Sequence, residues 1–347
     1  MPRLRVLVAE DSPTARRSLV LLLRADPELE VVGEARDGAE AIELCKKLRP
    51  DLVTMDIQMP VMDGVEATRR IMIESATPVV MVSSLDPNDV RSSMNALNAG
   101  ALAVLAKPAG PGTPRFERNV RELITTIKAM AQVKLVRRWA AVPPYRTTGT
   151  QPALLAPREI AVVGLVSSTG GPHALRSVLT ALPAEFGPPI MIVQHIAAGF
   201  AQGLAEWLTS TTKRTVTLAV DGECFVNGAV YLAPDDRHLE VSHDRLIVAA
   251  SSPVDGFRPS GTRLFSSLAA VFGPRAIGVI MTGMGRDGVA GLLEMRDAGS
   301  AILAQDEASC DIFGMPGAAV SAGAVTTTTP LSEIPTRLVE LVAKVRA

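Results

Sequence analysis

The stretch IAVVGLVSSTGGPHALRSVLTAL, residues 160–182, opens on a β-branched apolar run, breaks at paired serines and glycines, and resumes with apolar residues at helical spacing. An apolar run without polar alternation marks a strand buried on both faces. Ile160–Leu165 therefore predicts a strand of a parallel sheet, and Ala174–Leu182 the helix that follows it. Pro172 suits the first helical turn, where its missing N–H is not needed. The alternation continues downstream: Ile190–Gln194, Ala229–Ala233, Leu246–Ala249, Ala276–Met281 and Ala301–Ala304 read as strands, with helical patterns between several of them.

Upstream, Arg5–Ala9, Glu30–Ala35, Leu52–Met55, Pro78–Ser83 and Leu102–Leu105 alternate with longer helical patterns, which again signals a doubly wound parallel sheet. Phe116–Arg138 carries Val120, Leu123, Ile124, Ile127, Met130 and Val133 at helical spacing and closes this first unit. Between Ala140 and Arg158 stand Pro143, Pro144, Pro152 and Pro157 with no apolar period, which predicts an exposed linker. A chain of 347 residues is long for a single hydrophobic core. It divides here into residues 1–138, a linker over 139–158, and residues 159–347.

The chain is 47% hydrophobic and 20% charged, enough apolar material for two cores and unlike a disordered chain. A formal net charge of -1 exerts no global pull on nucleic acid or an anionic membrane. The second unit has neither a Walker phosphate loop nor a basic recognition helix, so no nucleic-acid partner is expected. The three cysteines, Cys45, Cys224 and Cys310, lie far apart without metal-ligand spacing, and free thiols in a reducing compartment are the expected state. The amino terminus turns acidic at Glu10-Asp11 too soon for a signal peptide, and no apolar stretch reaches membrane length. A cytoplasmic protein without membrane insertion is the expectation.

In a doubly wound sheet, functional groups collect at the carboxyl edge of the strands. Glu10 and Asp11 follow the first strand there and Asp56 the third, while Ser83 ends the fourth and Lys107-Pro108 the fifth. Three crowded carboxylates raise one another's pKa unless a cation sits among them. A hard, oxygen-seeking Mg²⁺ meets that demand, with Glu10, Asp11 and Asp56 as its ligands. Asp56 would accept a phosphoryl group, the metal and Lys107 would neutralise its charge, and Ser83 would hydrogen-bond the new phosphate. The segments VLVAEDS, DLVTMDIQMPVMDG, VVMVSSL and LAKP resemble the receiver domain of two-component response regulators. Receivers often carry an aromatic switch residue three positions before the lysine, where this chain has Val104. The phosphate signal is therefore expected to travel through Ser83, the surrounding loops and the domain interface.

The strand after residue 160 leads into Ser167-Ser168-Thr169-Gly170-Gly171, and a serine at a strand-to-helix turn lies beside N–H groups suited to a developing negative charge. Its hydroxyl needs a base. His195 closes the strand Ile190–Gln194 and would emerge at the same edge. His238 and His243 fall in an expected hairpin, and His173 in the first turn of the helix after the serine. A carboxylate must then hold the imidazole, and Asp287 supplies it from the glycine-rich turn after Ala276–Met281. The N–H groups of Met284 and Thr169 are the expected oxyanion donors. Ser167 is the rival nucleophile, ranked second because Ser168 directly precedes Thr169-Gly170-Gly171.

STGG, VQH, YLAPDDRHL, RPS, GVIMTGMGRDG and AQDEASCDIFGMP, spread over Ile160–Leu341, resemble the catalytic domain of the chemotaxis protein-glutamate methylesterase family, CheB. The resemblance implies an α/β fold throughout: an N-terminal doubly wound, flavodoxin-like receiver domain and a C-terminal doubly wound, Rossmann-like esterase domain. It implies Ser168 as nucleophile, His195 as general base and acid, and Asp287 as its orienting partner. The implied activity is phosphorylation-activated hydrolysis of glutamate methyl esters on methyl-accepting chemoreceptors, with deamidation of receptor glutamines beside it. A chemotaxis histidine kinase would donate the phosphate, and the esterase reaction needs no cofactor. Where the family has glycine two residues before the nucleophile, this chain has Val166, which predicts a differently shaped turn. Asp306, Glu307 and Arg258-Pro259-Ser260 read as structural or substrate-rim positions. The competing reading is a catalytically impaired, receiver-linked binding module or phosphate sink.

Overall fold

The computed structural model describes residues 3–84, 87–108, 110, 113, 116–133, 160–325 and 327–343. The expected linker lies outside the described residues.

In the N-terminal unit the chain runs β1 (Leu4–Ala9), α1 (Pro13–Arg24), β2 (Leu29–Ala35), α2 (Gly38–Leu48), β3 (Leu52–Met55), α3 (Gly64–Glu74), β4 (Val79–Ser83), α4 (Pro87–Ala99), β5 (Ala103–Ala106) and α5 (Phe116–Met130). The strands form a five-stranded parallel sheet in the order β2-β1-β3-β4-β5, the flavodoxin-like arrangement, with its switch point between β1 and β3. Helices begin where a side chain can take up an orphan N–H: Ser12 caps α1 through Ala15 N, Asp37 caps α2 through Glu40 N, and Asp63 caps α3 through Glu66 N.

The C-terminal unit runs β6 (Val162–Ser167), α6 (Gly171–Ala181), β7 (Ile190–Gln194), α7 (Ala201–Thr212), β8 (Val216–Leu218), β9 (Val230–Leu232), β10 (His238–Ser242), β11 (Arg245–Ala249), α8 (Gly261–Phe272), β12 (Ala276–Ile280), α9 (Val289–Asp297), β13 (Ala301–Gln305), α10 (Met315–Ser321), β14 (Thr328–Thr329) and α11 (Ile334–Ala343). Seven strands make one parallel sheet in the order β14-β13-β12-β6-β7-β9-β8. Every residue of β6, β7 and β12 is buried, as central strands covered on both faces require.

Two local expectations differ from the structure, and two short strands had no counterpart among them. Leu246–Ala249 is not part of the parallel series: β11 pairs antiparallel with β10 as the hairpin expected around His238 and His243, packed on α8. β8 and β14, three and two residues long, are edge strands too short to show a period. The strand expected at Ile160–Leu165 lies two residues later and runs directly up to Ser168.

The two units touch. α4 packs on α7, Arg176 Nη1 donates to Asn98 Oδ1 at 2.8 Å, and His173 Nε2 donates to the Ala101 carbonyl at 3.2 Å. The His173 ring stands edge-on to Trp207, and burial, helped by the Arg176 charge, pushes its pKa down.

Candidate active site

β6 begins at the centre of the second sheet. The chain leaves it toward β7 on one side and later returns to β12 on the other, so the crevice beyond the carboxyl ends of β6 and β12 is a topological switch point. Ser168 follows β6 there, His195 follows β7, and the loop Met281–Gly288 follows β12.

The turn after β6 is held by backbone contacts. Ser168 N donates to Thr282 O at 3.0 Å, and Gly171 N donates to Ser168 O at 2.8 Å. Gln194 clamps the two strand ends together, its Nε2 donating to the carbonyls of Ser168 (2.7 Å) and His195 (2.8 Å). Its Oε1 accepts from Ser167 Oγ at 2.6 Å, and Ser167 is fully buried. That removes Ser167 as a rival nucleophile, because its hydroxyl points into the sheet and is already spent. Gly283 packs directly on the serine: a Cβ there would come within 2.7 Å of Ser168 Cβ.

His195 Nε2 donates to Asp287 Oδ2 at 2.9 Å, which leaves Nδ1 as the ring's lone-pair nitrogen. Nδ1 is buried and has no hydrogen-bond partner. Phe257 stacks on the His195 ring, the two centroids 4.3 Å apart and the planes inclined by 15°. Asp287 is 1% exposed, a placement tolerable for a charge only with full hydrogen bonding. The start of α8 provides it: Ser260 Oγ donates to Oδ1 at 2.7 Å, Gly261 N to Oδ2 at 2.5 Å and Thr262 N to Oδ1 at 3.2 Å. Burial pushes the Asp287 pKa up, but the His195 contact, its charge and the Ser260 and Gly261 bonds outweigh it and bring the pKa down to about 2. Ser260, expected as a structural or substrate-rim position, is a buried structural support of the carboxylate. The available signal was a serine immediately before an apolar helical run, the pattern of an N-cap.

Thr169 and Met284 lie beside Ser168 and His195 on one cavity wall. Among the described residues neither N–H is engaged, so both remain available to an oxyanion. Val166 does not reshape the turn: it pairs in regular register with Val193 and Ile280. The space it needs comes from Gly261, where a Cβ would meet Val166 Cγ1 at 2.4 Å. Gly261→Ala should therefore destabilise the protein by about 1–3 kcal/mol, and Val166→Gly in the same chain should recover much of that. Denaturant midpoints of the two single variants and the double variant measure the coupling.

In the first unit the predicted carboxyl-edge residues also converge. Oxygens of Glu10, Asp11 and Asp56 lie within 4.8 Å of one another. Lys107 Nζ reaches Glu10 Oε2 and Asp56 Oδ2 at 2.9 Å each. Burial pushes the pKa of Glu10 and of Asp56 up despite Lys107, while contact with both carboxylates holds Lys107 above its ordinary value against its own burial. Three carboxylates against one ammonium leave an excess of negative charge on hard oxygen donors, and that donor set fits a divalent cation such as Mg²⁺. Ser83, fully buried, ends the neighbouring strand. Val104 lines the cavity that also holds Lys107 and Ser168.

That cavity, about 660 Å³, has Ser168, Thr169, His195 and Met284 on one side and Leu97, Leu102, Val104 and Lys107 of the first unit on the other. The N-terminal unit thus covers the serine site.

Residues 163–338 match the family model described as CheB methylesterase, and residues 6–113 match the response regulator receiver domain. A protein-glutamate methylesterase/protein-glutamine glutaminase of Myxococcus xanthus is 54% identical over 338 residues, covering 96% of this chain and 96% of that protein. One from Nitrosospira multiformis is 43% identical over 348 residues, covering 98% of each. The crystal structure of the Thermotoga maritima CheB methylesterase catalytic domain superposes with a TM-score of 0.51 and 36% identity, over 52% of this chain and 98% of that one. With its two sheets in the receiver and esterase arrangement and its similarity running nearly end to end, this chain belongs to the CheB methylesterase family.

Proposed function

We propose that this chain is a phosphorylation-activated protein-glutamate methylesterase that acts on methylated chemoreceptors and also deamidates receptor glutamines. The observation that carries the reading is the His195–Asp287 pair, 2.9 Å apart, at the same sheet edge as Ser168. Ser168 Oγ adds to the ester carbonyl while its proton passes to His195 Nδ1, and the imidazolium that forms is stabilised through Nε2 by Asp287. The N–H groups of Thr169 and Met284 receive the oxyanion. The C–O bond to the methoxy group breaks, the proton leaves with methanol, and water then clears the acyl-enzyme by the same route. A glutamine side chain enters the same sequence with ammonia as leaving group.

The receiver, residues 1–138, is joined to the esterase, 159–347, through 139–158. Asp56 takes the phosphoryl group from a histidine kinase. Glu10, Asp11 and Asp56 would hold Mg²⁺, which would supply positive charge beside Lys107 to offset that of the transferring phosphoryl group. Ser83 senses the product. No described helix is long and apolar enough to cross a membrane. A catalytically impaired binding module finds no support in a site with its serine, imidazole and buried carboxylate all in place.

Methanol release from methylated receptor membranes tests the regulation. A small phosphodonor should raise the rate of the native chain about tenfold or more, and Asp56→Asn should hold it at the unstimulated level. Stimulation that survives Asp56→Asn would place the phosphate elsewhere.

A further inference from the structure

We infer that this chain hydrolyses small neutral carboxylic esters at Ser168 while the receiver still covers the site, so that the cover selects by size and leaves the chemistry intact. The inference rests on the esterase reading above. A covering domain can inhibit in two ways: it can pull the reacting groups apart, or it can bar the approach of a large substrate.

The geometry under the cover favours the second. The His195–Asp287 bond is made at 2.9 Å, and all three supports from the start of α8 reach the carboxylate. Gln194 holds the carbonyls of Ser168 and His195 together. No described receiver residue hydrogen-bonds Ser168, His195 or Asp287, and the buried Nδ1 of His195 is unpartnered and open to a proton.

Size then decides what can reach the serine. The cavity of about 660 Å³ falls within the range of small-molecule sites, ~300–1,000 Å³. A receptor carries its glutamate on a helix about 10–12 Å across and far longer than this space, so the receiver residues on the cavity, Leu97, Leu102 and Val104, stand in its way and not in the way of a small ester. The walls also define the ligand. Leu97, Val104, Ile196 and Ala197 are apolar. Among the described residues, the lysine and arginine that line the cavity are already engaged: Lys107 with Glu10 and Asp56, and Arg258 with Asp236 and the carbonyls of Ala250 and Ser251. A short uncharged ester suits such a space, and an anionic one finds no free counter-charge among these groups.

The reaction balances as for the receptor ester: Ser168 Oγ bonds to the carbonyl carbon, the C–O bond to methoxy breaks, methanol leaves with the proton held by His195, and water returns the serine and releases the acid.

The probe is the γ-methyl ester of N-acetylglutamate α-amide, assayed by methanol release from the full-length chain with and without a small phosphodonor, beside methylated receptor membranes. The small-ester rate should agree within about twofold between the two conditions, while receptor demethylation rises about tenfold or more on phosphorylation. Ser168→Ala should abolish both activities. Val104→Trp, which fills the covered cavity, should raise the small-ester KM about fivefold or more in the unphosphorylated chain. The comparison of phosphorylation states needs no variant, so a misfolded Val104→Trp protein does not blunt the test. Small-ester turnover that rises in step with receptor turnover, or that persists in Ser168→Ala, overturns the inference. Receptor demethylation without any small-ester turnover sinks this inference alone, whereas receptor demethylation that survives Ser168→Ala sinks the esterase reading itself.

Discussion

Replacing Ser168 with alanine is expected to lower receptor demethylation by roughly 10⁴- to 10⁶-fold, because it removes the attacking oxygen and the adjacent Ser167 hydroxyl is buried and bonded to Gln194. The neighbouring position makes the comparison sharp. Ser167 Oγ is buried and bonded to Gln194 at 2.6 Å, so Ser167→Ala leaves that amide oxygen unpaired and should cost about 1–3 kcal/mol of stability. Its turnover should stay within about tenfold of the parent, since the hydroxyl takes no part in bond making. Rates of methanol release together with denaturant midpoints separate the two serines. A Ser168→Ala protein that keeps its rate while Ser167→Ala loses it would reverse the assignment.

Asp287→Asn should cost about 10⁴-fold in kcat, through the tautomer of His195 and not through lost binding. Each carboxylate oxygen now accepts from two donors: Oδ1 from Ser260 Oγ and Thr262 N, Oδ2 from His195 Nε2 and Gly261 N. An asparagine must turn its NH₂ toward one of these pairs. If it faces His195, Nε2 has to become the acceptor, the ring proton moves to Nδ1, and the base that Ser168 needs is gone.

The same residue links stability to pH. Its carboxyl is held at about 2 in the folded protein against an ordinary value of 3.8, so the native state favours the ionised form. The stabilisation, about 2 kcal/mol, is fully present above the ordinary carboxylate pKa and is lost as pH falls toward 2. Denaturant unfolding of the parent and of Asp287→Asn at pH 7 and near pH 3 should show the gap between them narrowing at the lower pH. A gap that stays constant or widens contradicts the assigned pKa.

Most of the site was legible because its parts sit where strands end, and strand ends can be read from apolar runs. His195 was found from the run Ile190–Gln194, whose observed bounds agree, and Asp287 from the glycine-rich turn after β12. The supports were much harder to see. Ser260 and Phe257 lie in an irregular segment after the β10–β11 hairpin, with no period to place them, and Gln194 is one more polar residue at a strand end. The short strands β8 and β14 escaped for a related reason, since pairing along a sheet edge needs only two or three residues.

The amino-acid sequence by itself determined the two α/β units, the acidic cluster with its lysine, and the three segments that carry serine, histidine and aspartate. These follow from patterns of polarity along the chain, which local physics reads directly. Only the tertiary structure decided which imidazole nitrogen faces the carboxylate, that Ser167 is closed off, that Gly261 makes room for Val166, and which receiver residues line the cavity over the serine. Those outcomes depend on contacts between residues tens to hundreds of positions apart, and such contacts exist only once both sheets are packed.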